Sequence, residues 1–345
     1  MRRCVPALLL ACAVACASPA PKPAEPAPQP LTAPVSTATA PVEPARGPDQ
    51  ILVTFVDVGE GDAILVQAGS FDALIDTGPE GAWNGQLEAA LKTVSGPLEI
   101  LFLTHPNEDH MGQAAKVLET VEVERVITTG ETRGPPRDPK PVEFYETYKT
   151  ALAAKGLKEE VASVGQTFEP VPGVRFEVLA SGGRVKDTAE GSDISNDSLV
   201  MKLTFAGRQV LLAGDIEQEA GDWLVHKYCP EPDECPVLKS DILKVPHHGS
   251  AHFSKAFFEK VGATYAVISA GFHVEKHCLP RIESYEALRT DGRKVISTSA
   301  EGTANVGVDI SSRGTMTWTK PEGQIFVWKG QQKRSCIGPT GLDQE

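Results

Sequence analysis

The segment Thr104-His105-Pro106-Asn107-Glu108-Asp109-His110-Met111-Gly112 follows an apolar run and contains two imidazoles, two carboxylates and an amide. An apolar run this short, at residues 100–104 and close to Gly and Pro, is typical of a buried β-strand. Imidazole and carboxylate are the side chains that bind a catalytic divalent cation and leave one position open for water. The segment therefore predicts a strand that ends in a metal site.

Two further apolar runs end in the same kind of side chain. Residues 210–214 lead into Asp215, and residues 242–246 lead into His247 and His248. If the three strands lie side by side, their ends meet at one edge of a sheet. That edge would then hold several imidazole and carboxylate groups within a small space.

The order of predicted strands and helices indicates the fold class. From about residue 50 the apolar runs form two series of strands, and helical patterns separate the strands within each series. This order predicts an α/β protein of two sheets packed face to face with helices outside. Gly59 and Gly61 match a dinucleotide-binding loop only weakly, because the third Gly of that motif is missing and no helix is predicted to begin after it. We expect a turn there instead. We expect one folded domain at residues 50–330 and a C-terminal tail at residues 331–345.

The N-terminus has the pattern of an export signal. Arg2 and Arg3 precede a short apolar stretch that ends near residue 15, and spanning a bilayer as a helix needs about 20 residues. Small residues before Cys16 resemble the lipobox of bacterial lipoproteins; the alternative is an ordinary signal peptide. Residues 16–49 are rich in Pro and Ala, which is typical of an extended tether. We expect an exported protein, either secreted or a lipoprotein of the bacterial cell envelope (periplasmic or outer-membrane), with no transmembrane domain.

Four cysteines lie beyond the predicted signal: Cys229, Cys235, Cys278 and Cys336. An even number of Cys in an exported protein suggests disulfides, here two. Cys229 and Cys235 bracket a short Pro-containing loop, which favours pairing them with each other, and Cys278 would then pair with Cys336. The alternative is free buried thiols.

The net charge of the chain affects which binding partners it can attract. The chain has 33 Lys and Arg against 46 Asp and Glu, a formal net charge of −13. An acidic protein does not attract nucleic acid non-specifically. Lys239, Lys244 and Lys255 are the residues expected to form a local basic patch near the site.

Together these motifs resemble a known family. The segment at residues 104–112 resembles the metal-binding motif of the metallo-β-lactamase superfamily. Five further segments, in the family's order, look like the hydrolase domain of the DNA-uptake protein ComEC and its stand-alone relatives: residues 55–62, 74–78, 196–200, 211–217 and 243–250. The resemblance covers roughly residues 50–305. It implies an αββα sandwich with a metal site at one edge of the sheets.

The resemblance also implies a ligand set. The matching metal positions are His105, Asp109, His110 and Asp215, together with either His247 or His248. Asp215 would bridge two ions, Asp109 would position the attacking water, and His248 is the late histidine assigned to catalysis. The implied cofactor is one or two divalent ions, with Zn²⁺ or Mn²⁺ expected and Mg²⁺ an alternative.

The sequence departs from the family pattern at two places. Asn107 stands where ComEC-like proteins commonly have Asp, and a neutral amide binds a cation more weakly than a carboxylate does. The superfamily's middle His has no counterpart, because Asn196 and Ser198 occupy that region. We expect the first ion to rest on His105, Asn107 and Asp215, and to bind less tightly than the second.

Other polar residues of these motifs have supporting or substrate-side roles. Asp76 is expected to orient a ligand through a hydrogen bond. Asn196 and Ser198 either contact substrate or cap a hairpin. Ser250 and His277 are candidate substrate contacts.

The function that the resemblance implies is hydrolysis of a phosphodiester outside the cytoplasm, with DNA as the specific candidate. The alternative enzyme acts on a small molecule such as a lactone, a nucleotide or a lactam. A third alternative is a non-catalytic envelope protein with a degenerate metal site. The oligomeric state is left open, and the membrane is expected to be reached only through the lipid anchor.

Overall fold

The computed structural model describes residues 48–136, 138–183, 194–231, 234–270, 279–290, 292–298 and 305–318. Several predictions lie outside the described residues: the signal at residues 1–15, Cys16 with most of its tether, His277, Cys278, Cys336 and the tail at residues 331–345. Among the described helices, none is both long enough and apolar enough to cross a bilayer.

The described chain is divided into strands and helices as follows. The strands are β1 (Gln50–Phe55), β2 (Ile64–Ala68), β3 (Phe71–Ile75), β4 (Leu98–Phe102), β5 (Val123–Thr128), β6 (Glu159–Val161), β7 (Thr167–Val171), β8 (Val174–Ala180), β9 (Val200–Phe205), β10 (Arg208–Leu212), β11 (Ile242–Lys244), β12 (Tyr265–Ile268), β13 (Lys294–Ser297), β14 (Val306–Ser311) and β15 (Met316–Trp318). The helices are α1 (Gln86–Leu91), α2 (Glu108–Met111), α3 (Ala114–Thr120), α4 (Glu143–Ala154), α5 (Gln218–Tyr228), α6 (Lys255–Val261) and α7 (Ile282–Thr290).

The strands form two sheets. One has the order β15-β14-β1-β2-β3-β4-β5-β6, and the other has the order β13-β12-β11-β10-β9-β8-β7. A single apolar core lies between them, and Phe102 of the first sheet packs on Phe176 of the second with ring centroids 5.3 Å apart. Two further apolar clusters join α1, α3 and α4 to the first sheet and α5, α6 and α7 to the second. The predicted αββα sandwich is confirmed.

The strand directions bring the polar segments to one edge. β3 to β6 are parallel in the first sheet, and β10 to β13 are parallel in the second. The three ligand-bearing strands are not neighbours in one sheet: β4 lies in the first, whereas β10 and β11 lie in the second. Their carboxyl ends still meet, because the two sheets pack face to face with these ends at the same edge of the sandwich.

The metal motif itself forms a helix that the sequence pattern did not predict. Helix α2 begins at Glu108 with Asn107 as its N-cap, and α3 follows from Ala114. Gly112 is required here because a Cβ at this position would collide with the backbone of Glu80 and Glu108. The extra turn of helix carries Asp109 and His110 on one short, fixed element.

Candidate metal centre

Three histidines and one aspartate converge at the common edge of the two sheets. His105 and His110 follow β4, Asp215 follows β10 and His248 follows β11, and all four are buried. We call these four residues the metal centre. The Nε2 atoms of His110 and His248 lie 3.3 Å apart, and they lie 3.1 and 3.3 Å from Asp215 Oδ2. His105 Nε2 lies 3.9 Å from the same oxygen.

Each histidine is held by its other ring nitrogen. His110 Nδ1 lies 2.7 Å from Asp76 Oδ2, and His248 Nδ1 lies 2.8 Å from the carbonyl oxygen of Ser269. His105 Nδ1 lies 3.1 Å from Thr104 Oγ1. When the ring proton is fixed at Nδ1, Nε2 carries no proton and its lone pair can bind a metal. Protein partners orient metal-binding imidazoles in this way. Asp76 lies where it can orient His110, the role expected of it.

Two more carboxylates border the centre. Asp109 Oδ2 lies 3.2 Å from His248 Nε2, and its side chain is 27% exposed, so it faces the open side of the site. Asp62 is buried, and together with His110, Asp215 and His248 it offers ligand atoms that all lie within 4.8 Å of one another. Asp62 directly follows the turn that the sequence predicts at Gly59 and Gly61.

Lys244 has a different role from the one expected. Its side chain is 1% exposed and its Nζ lies 2.7 Å from Asp62 Oδ2, so it cannot form part of a basic surface patch. Lys255 is 77% exposed and pairs with Glu259. Lys244 points inward because it lies on β11, a central strand covered on both faces, and the buried Asp62 supplies the charge that this burial requires.

The backbone is strained at the site. Asp76, His247 and His248 have φ values of 59°, 49° and 51°, and among the described residues Ala206 is the one other non-glycine residue with positive φ. Such conformations cost about 1–3 kcal/mol each and persist where the surroundings fix them. Asp76 is fixed by accepting hydrogen bonds from Thr104 N and Oγ1, both at 2.7 Å. Strain at three residues of one edge marks it as the functional part of the fold.

The residues fit a divalent cation. Asp215 Oδ1 and His105 Nε2 are buried and have no hydrogen-bond partner within the described part of the chain. Burying such atoms unpartnered is costly, and each one calls for an explanation. Imidazole nitrogens with carboxylate oxygens are the ligands that Zn²⁺ and Mn²⁺ accept. A divalent ion held by the metal centre would satisfy these atoms.

The electrostatics of the metal centre agree with this fit. Burial lowers the pKa of His105 to about 3, so this ring is neutral and its Nε2 can act as a ligand. Burial also disfavours the charged form of His248, but the nearby Asp215, Asp109 and Asp62 outweigh it and raise the His248 pKa to about 10. Burial alone would raise the pKa of Asp215, but His110 and His248 hold it well below its usual range. In the absence of metal, protons on His110 and His248 balance the carboxylates.

This balance predicts opposite pH dependences with and without metal. The raised pKa of His248 gives the metal-free protein stability that is complete below the ordinary histidine pKa of about 6.5 and is lost as the pH rises toward 10. Metal competes with the same protons, so its affinity should rise over this window. Thermal unfolding with EDTA and with excess Zn²⁺ should show a stabilisation by metal that grows from pH 6.5 to 8.5. A stabilisation that shrinks with pH would contradict these assignments.

The side-chain amide of Asn107 has a protein partner at each end. Its Oδ1 accepts a hydrogen bond from Arg133 NH1 at 3.0 Å, and its Nδ2 donates to Ser195 Oγ at 3.4 Å. Asn107 as a metal ligand stays a prediction, and in this structure the oxygen that would coordinate the ion is bound to a guanidinium.

The two adjacent histidines after β11 are distinguished by their surroundings. His248 is buried in the metal centre, whereas the side chain of His247 is 26% exposed and its Nε2 lies 4.0 Å from Asp215 Oδ2. His247 Nδ1 lies 3.0 Å from Glu217 Oε1. The geometry therefore assigns the late metal ligand to His248 and places His247 at the rim.

The residues proposed from sequence as substrate contacts have protein partners. Asn196 Oδ1 accepts from the backbone of Glu217, at the start of α5. Ser198 is 1% exposed, and its Oγ accepts from Asp215 N at 3.0 Å and donates to Ser195 O at 2.7 Å. Ser250 Oγ accepts from His252 N. These contacts are those of supporting residues, and for Asn196 and Ser198 they favour the structural alternative over substrate contact.

Cys229 follows α5, and its sulfur lies within bonding distance of the Cys235 sulfur. The structure thus brings together the pair that the sequence spacing favoured. This loop lies outside the metal centre and contributes no ligand to it.

Comparison with known proteins gives a consistent result. Residues 56–271 match the family model of the metallo-beta-lactamase superfamily. The chain is similar to ComE operon protein 3 of Bacillus subtilis (26% identity over 270 residues, 73% of this chain and 32% of the relative). It is also similar to competence protein ComA of Neisseria gonorrhoeae (25% identity, 81% of this chain and 35% of the relative). The chain therefore spans about a third of the length of these relatives.

Among solved structures, the metallo-beta-lactamase fold protein YhfI of Bacillus subtilis matches with a TM-score of 0.47 and 13% identity, over 75% of this chain and 99% of that one. The family match covers the strands that carry His105, His110, Asp215 and His248. The chain belongs to the metallo-beta-lactamase superfamily, and within it the chain is similar to the ComEC-type competence proteins.

Proposed function

We propose that this chain is a metal-dependent phosphodiesterase that acts outside the cytoplasm. The observation that carries the proposal is the metal centre: three Nε2 atoms and one carboxylate oxygen gathered at one edge of the sandwich, with a protein partner at the Nδ1 of each histidine ring. The similarity to competence proteins supports a phosphodiester as the substrate class, and DNA is the specific candidate.

The residues of the site have distinct roles in this proposal. His105, His110, Asp215 and His248 would hold the ion. When bound, a divalent ion lowers the pKa of a water molecule and polarises the group under attack. Asp109, on the exposed side next to His248, would orient the attacking water. Asp76 keeps His110 in the tautomer that presents Nε2 to the ion.

One observation favours a smaller substrate. The formal net charge of −13 opposes the approach of a polyanion, and Lys244, one of three lysines considered for a basic patch, is buried and paired. A small phosphodiester or nucleotide is repelled less strongly by this negative charge than duplex DNA is. This is the second candidate, and it uses the same residues.

A substrate panel tests the proposal. EDTA-treated protein should be assayed with added Mn²⁺ or Zn²⁺ against bis(p-nitrophenyl) phosphate, linear DNA, a lactone and a chromogenic lactam. We expect metal-dependent cleavage of bis(p-nitrophenyl) phosphate. Cleavage of DNA as well would support the nuclease, and cleavage of the lactone or lactam alone would overturn the phosphodiesterase proposal.

The proposed location predicts a modified N-terminus. We propose that the chain is exported, cleaved before Cys16 and lipidated there, because small residues precede this Cys and a Pro-rich tether follows it. Mass spectrometry of the mature protein from its native membrane should find a diacylglyceryl-modified Cys16. An unmodified N-terminus at another residue would contradict the lipid anchor, and a retained residue 1 would contradict export.

Export also favours an oxidised Cys229–Cys235 pair, since disulfides persist outside the cytoplasm. The two sulfurs are already placed for bonding. Non-reducing peptide mapping of exported protein tests this pair, and the same map tests Cys278 with Cys336.

A further inference from the structure

Arg133 contacts Asn107, in the segment that carries His105 and His110, and it belongs to none of the motifs on which the resemblance to the family rests. It follows β5, which is the parallel neighbour of β4 in the first sheet, so the loop after β5 and the metal motif after β4 leave the same edge. Arg133 NH1 donates to Asn107 Oδ1 at 3.0 Å. Asn107 is the N-cap of α2, the helix that carries Asp109 and His110.

The guanidinium is held in a fixed orientation. Its Nε and NH2 donate to the two carboxylate oxygens of Asp138 at 3.0 and 3.1 Å, and Asp138 also accepts from Gly134 N at 2.6 Å. A guanidinium has five N–H groups, and these contacts use three of them. The Arg133 side chain is 25% exposed, so the remaining N–H groups on NH1 and NH2 can be reached from solvent.

Two of the three lysines considered for a basic patch do not fit this role. Lys244 is buried against Asp62, and Lys255 extends into solvent from α6, where it pairs with Glu259. A fork-shaped guanidinium also matches a phosphate better than an ammonium group does, because it can donate two parallel hydrogen bonds. Arg133 is therefore suited to bind an anionic substrate at this edge.

The contact with Asn107 has a second consequence. Asn107 is one of the three residues expected to hold the first ion, and its oxygen is bound to Arg133 instead. A divalent ion and a guanidinium repel each other at such short range, since a partly buried site screens their charges little. Arg133 thus occupies the amide oxygen that this first ion would need as a ligand.

We propose that the site takes one divalent ion, held by the metal centre. We propose also that Arg133 binds a phosphate oxygen of the substrate in place of the further ion that was expected at Asn107. The one-ion part rests on the contacts of Asn107 and Arg133. The phosphate part rests on the proposed function.

The first test is metal stoichiometry, which needs no substrate. Protein reconstituted with Mn²⁺ and freed of excess metal should contain one ion per chain by elemental analysis. The double variant Asn107→Asp, Arg133→Ala restores a carboxylate and removes the guanidinium, and it should contain two. Two ions in the wild type, or one in the double variant, would overturn the replacement of an ion by Arg133.

The second test is phosphate binding, with inorganic phosphate as the probe. Calorimetry on the Mn²⁺-loaded protein should show that Arg133→Ala weakens phosphate binding about 10- to 100-fold, the usual loss of a charge-assisted hydrogen bond. Arg133→Lys should bind phosphate with an affinity between those of the wild type and Arg133→Ala, because it keeps the positive charge but cannot donate two parallel hydrogen bonds. Arg125→Ala is the matched control: it removes the same charge from β5, where Arg125 pairs with Glu160, and should change binding less than twofold.

These tests separate the two proposals. If the wild type cleaves no phosphodiester but binds phosphate in an Arg133-dependent way, the proposed function fails and the role of Arg133 stands. If Arg133→Ala binds phosphate as tightly as Arg125→Ala does, the phosphate role of Arg133 is wrong, whatever the activity. Matching thermal unfolding of the Arg133 and Arg125 variants checks that each is folded.

Discussion

Asp215→Ala should reduce phosphodiester hydrolysis by a factor of about 10³ or more, because the carboxylate contacts every other member of the metal centre. Its Oδ2 lies within 4 Å of the Nε2 atoms of His105, His110 and His248. Removing it takes away the carboxylate oxygen that joins the three imidazoles. The variant should therefore lose bound metal as well as activity.

Two variants make this test specific. Asp215→Asn keeps the shape and removes the charge, and it should lose nearly as much activity as Asp215→Ala. Asp309→Ala makes the same chemical change on β14, outside the metal centre, and should retain activity. Full activity in Asp215→Ala would move the chemistry to another part of the molecule.

Lys244→Met should lower the free energy of unfolding of the metal-free protein by about 3–5 kcal/mol, because it removes the cation that is paired with the buried Asp62 carboxylate. The two side chains are 1% and 2% exposed, and their charged atoms lie 2.7 Å apart. Water cannot reach Asp62 to solvate it in the variant. Urea unfolding in EDTA measures the change without a contribution from metal binding.

The double variant Asp62→Asn, Lys244→Met should recover a large part of this loss, because it removes both charges. Lys92→Met is the surface control, since Lys92 pairs with Glu88 but its side chain is 71% exposed, and it should cost under about 1 kcal/mol. A loss for Lys244→Met as small as that for Lys92→Met would show that the ion pair is not buried in solution. A double variant less stable than Lys244→Met would show that Asp62 has a second structural role.

The parts of the fold that follow from local sequence could be predicted. Short apolar runs ending in His105, Asp215 and His248 identified the strands and the edge at which they meet, because a buried strand and a polar ligand are both local features. The helix α2 was missed, because Asn107 and Gly112 act through a cap and a close backbone approach that periodicity does not report. The division of the three strands between two sheets depends on packing and was likewise not visible.

The supporting residues of the site depend on contacts distant in sequence. Asp62 and Lys244 are separated by most of the domain, so nothing local distinguishes Lys244 from a surface lysine. The same holds for Arg133, whose hydrogen bond to Asn107 joins two loops. The sequence shows that Asn107 departs from the pattern that the resemblance implies, but its partner Arg133 lies in the loop after the neighbouring strand β5.

The most direct test of the account is an anomalous difference map from crystals of the Zn²⁺-loaded protein, recorded at the zinc absorption edge. We predict one peak within coordination distance of Asp215 Oδ2 and the Nε2 atoms of His105, His110 and His248, with no further peak beside Asn107. A zinc peak elsewhere in the molecule would contradict the assignment of these residues as the metal centre. So would the lack of a peak at this edge of the sandwich in protein that cleaves phosphodiesters with Zn²⁺.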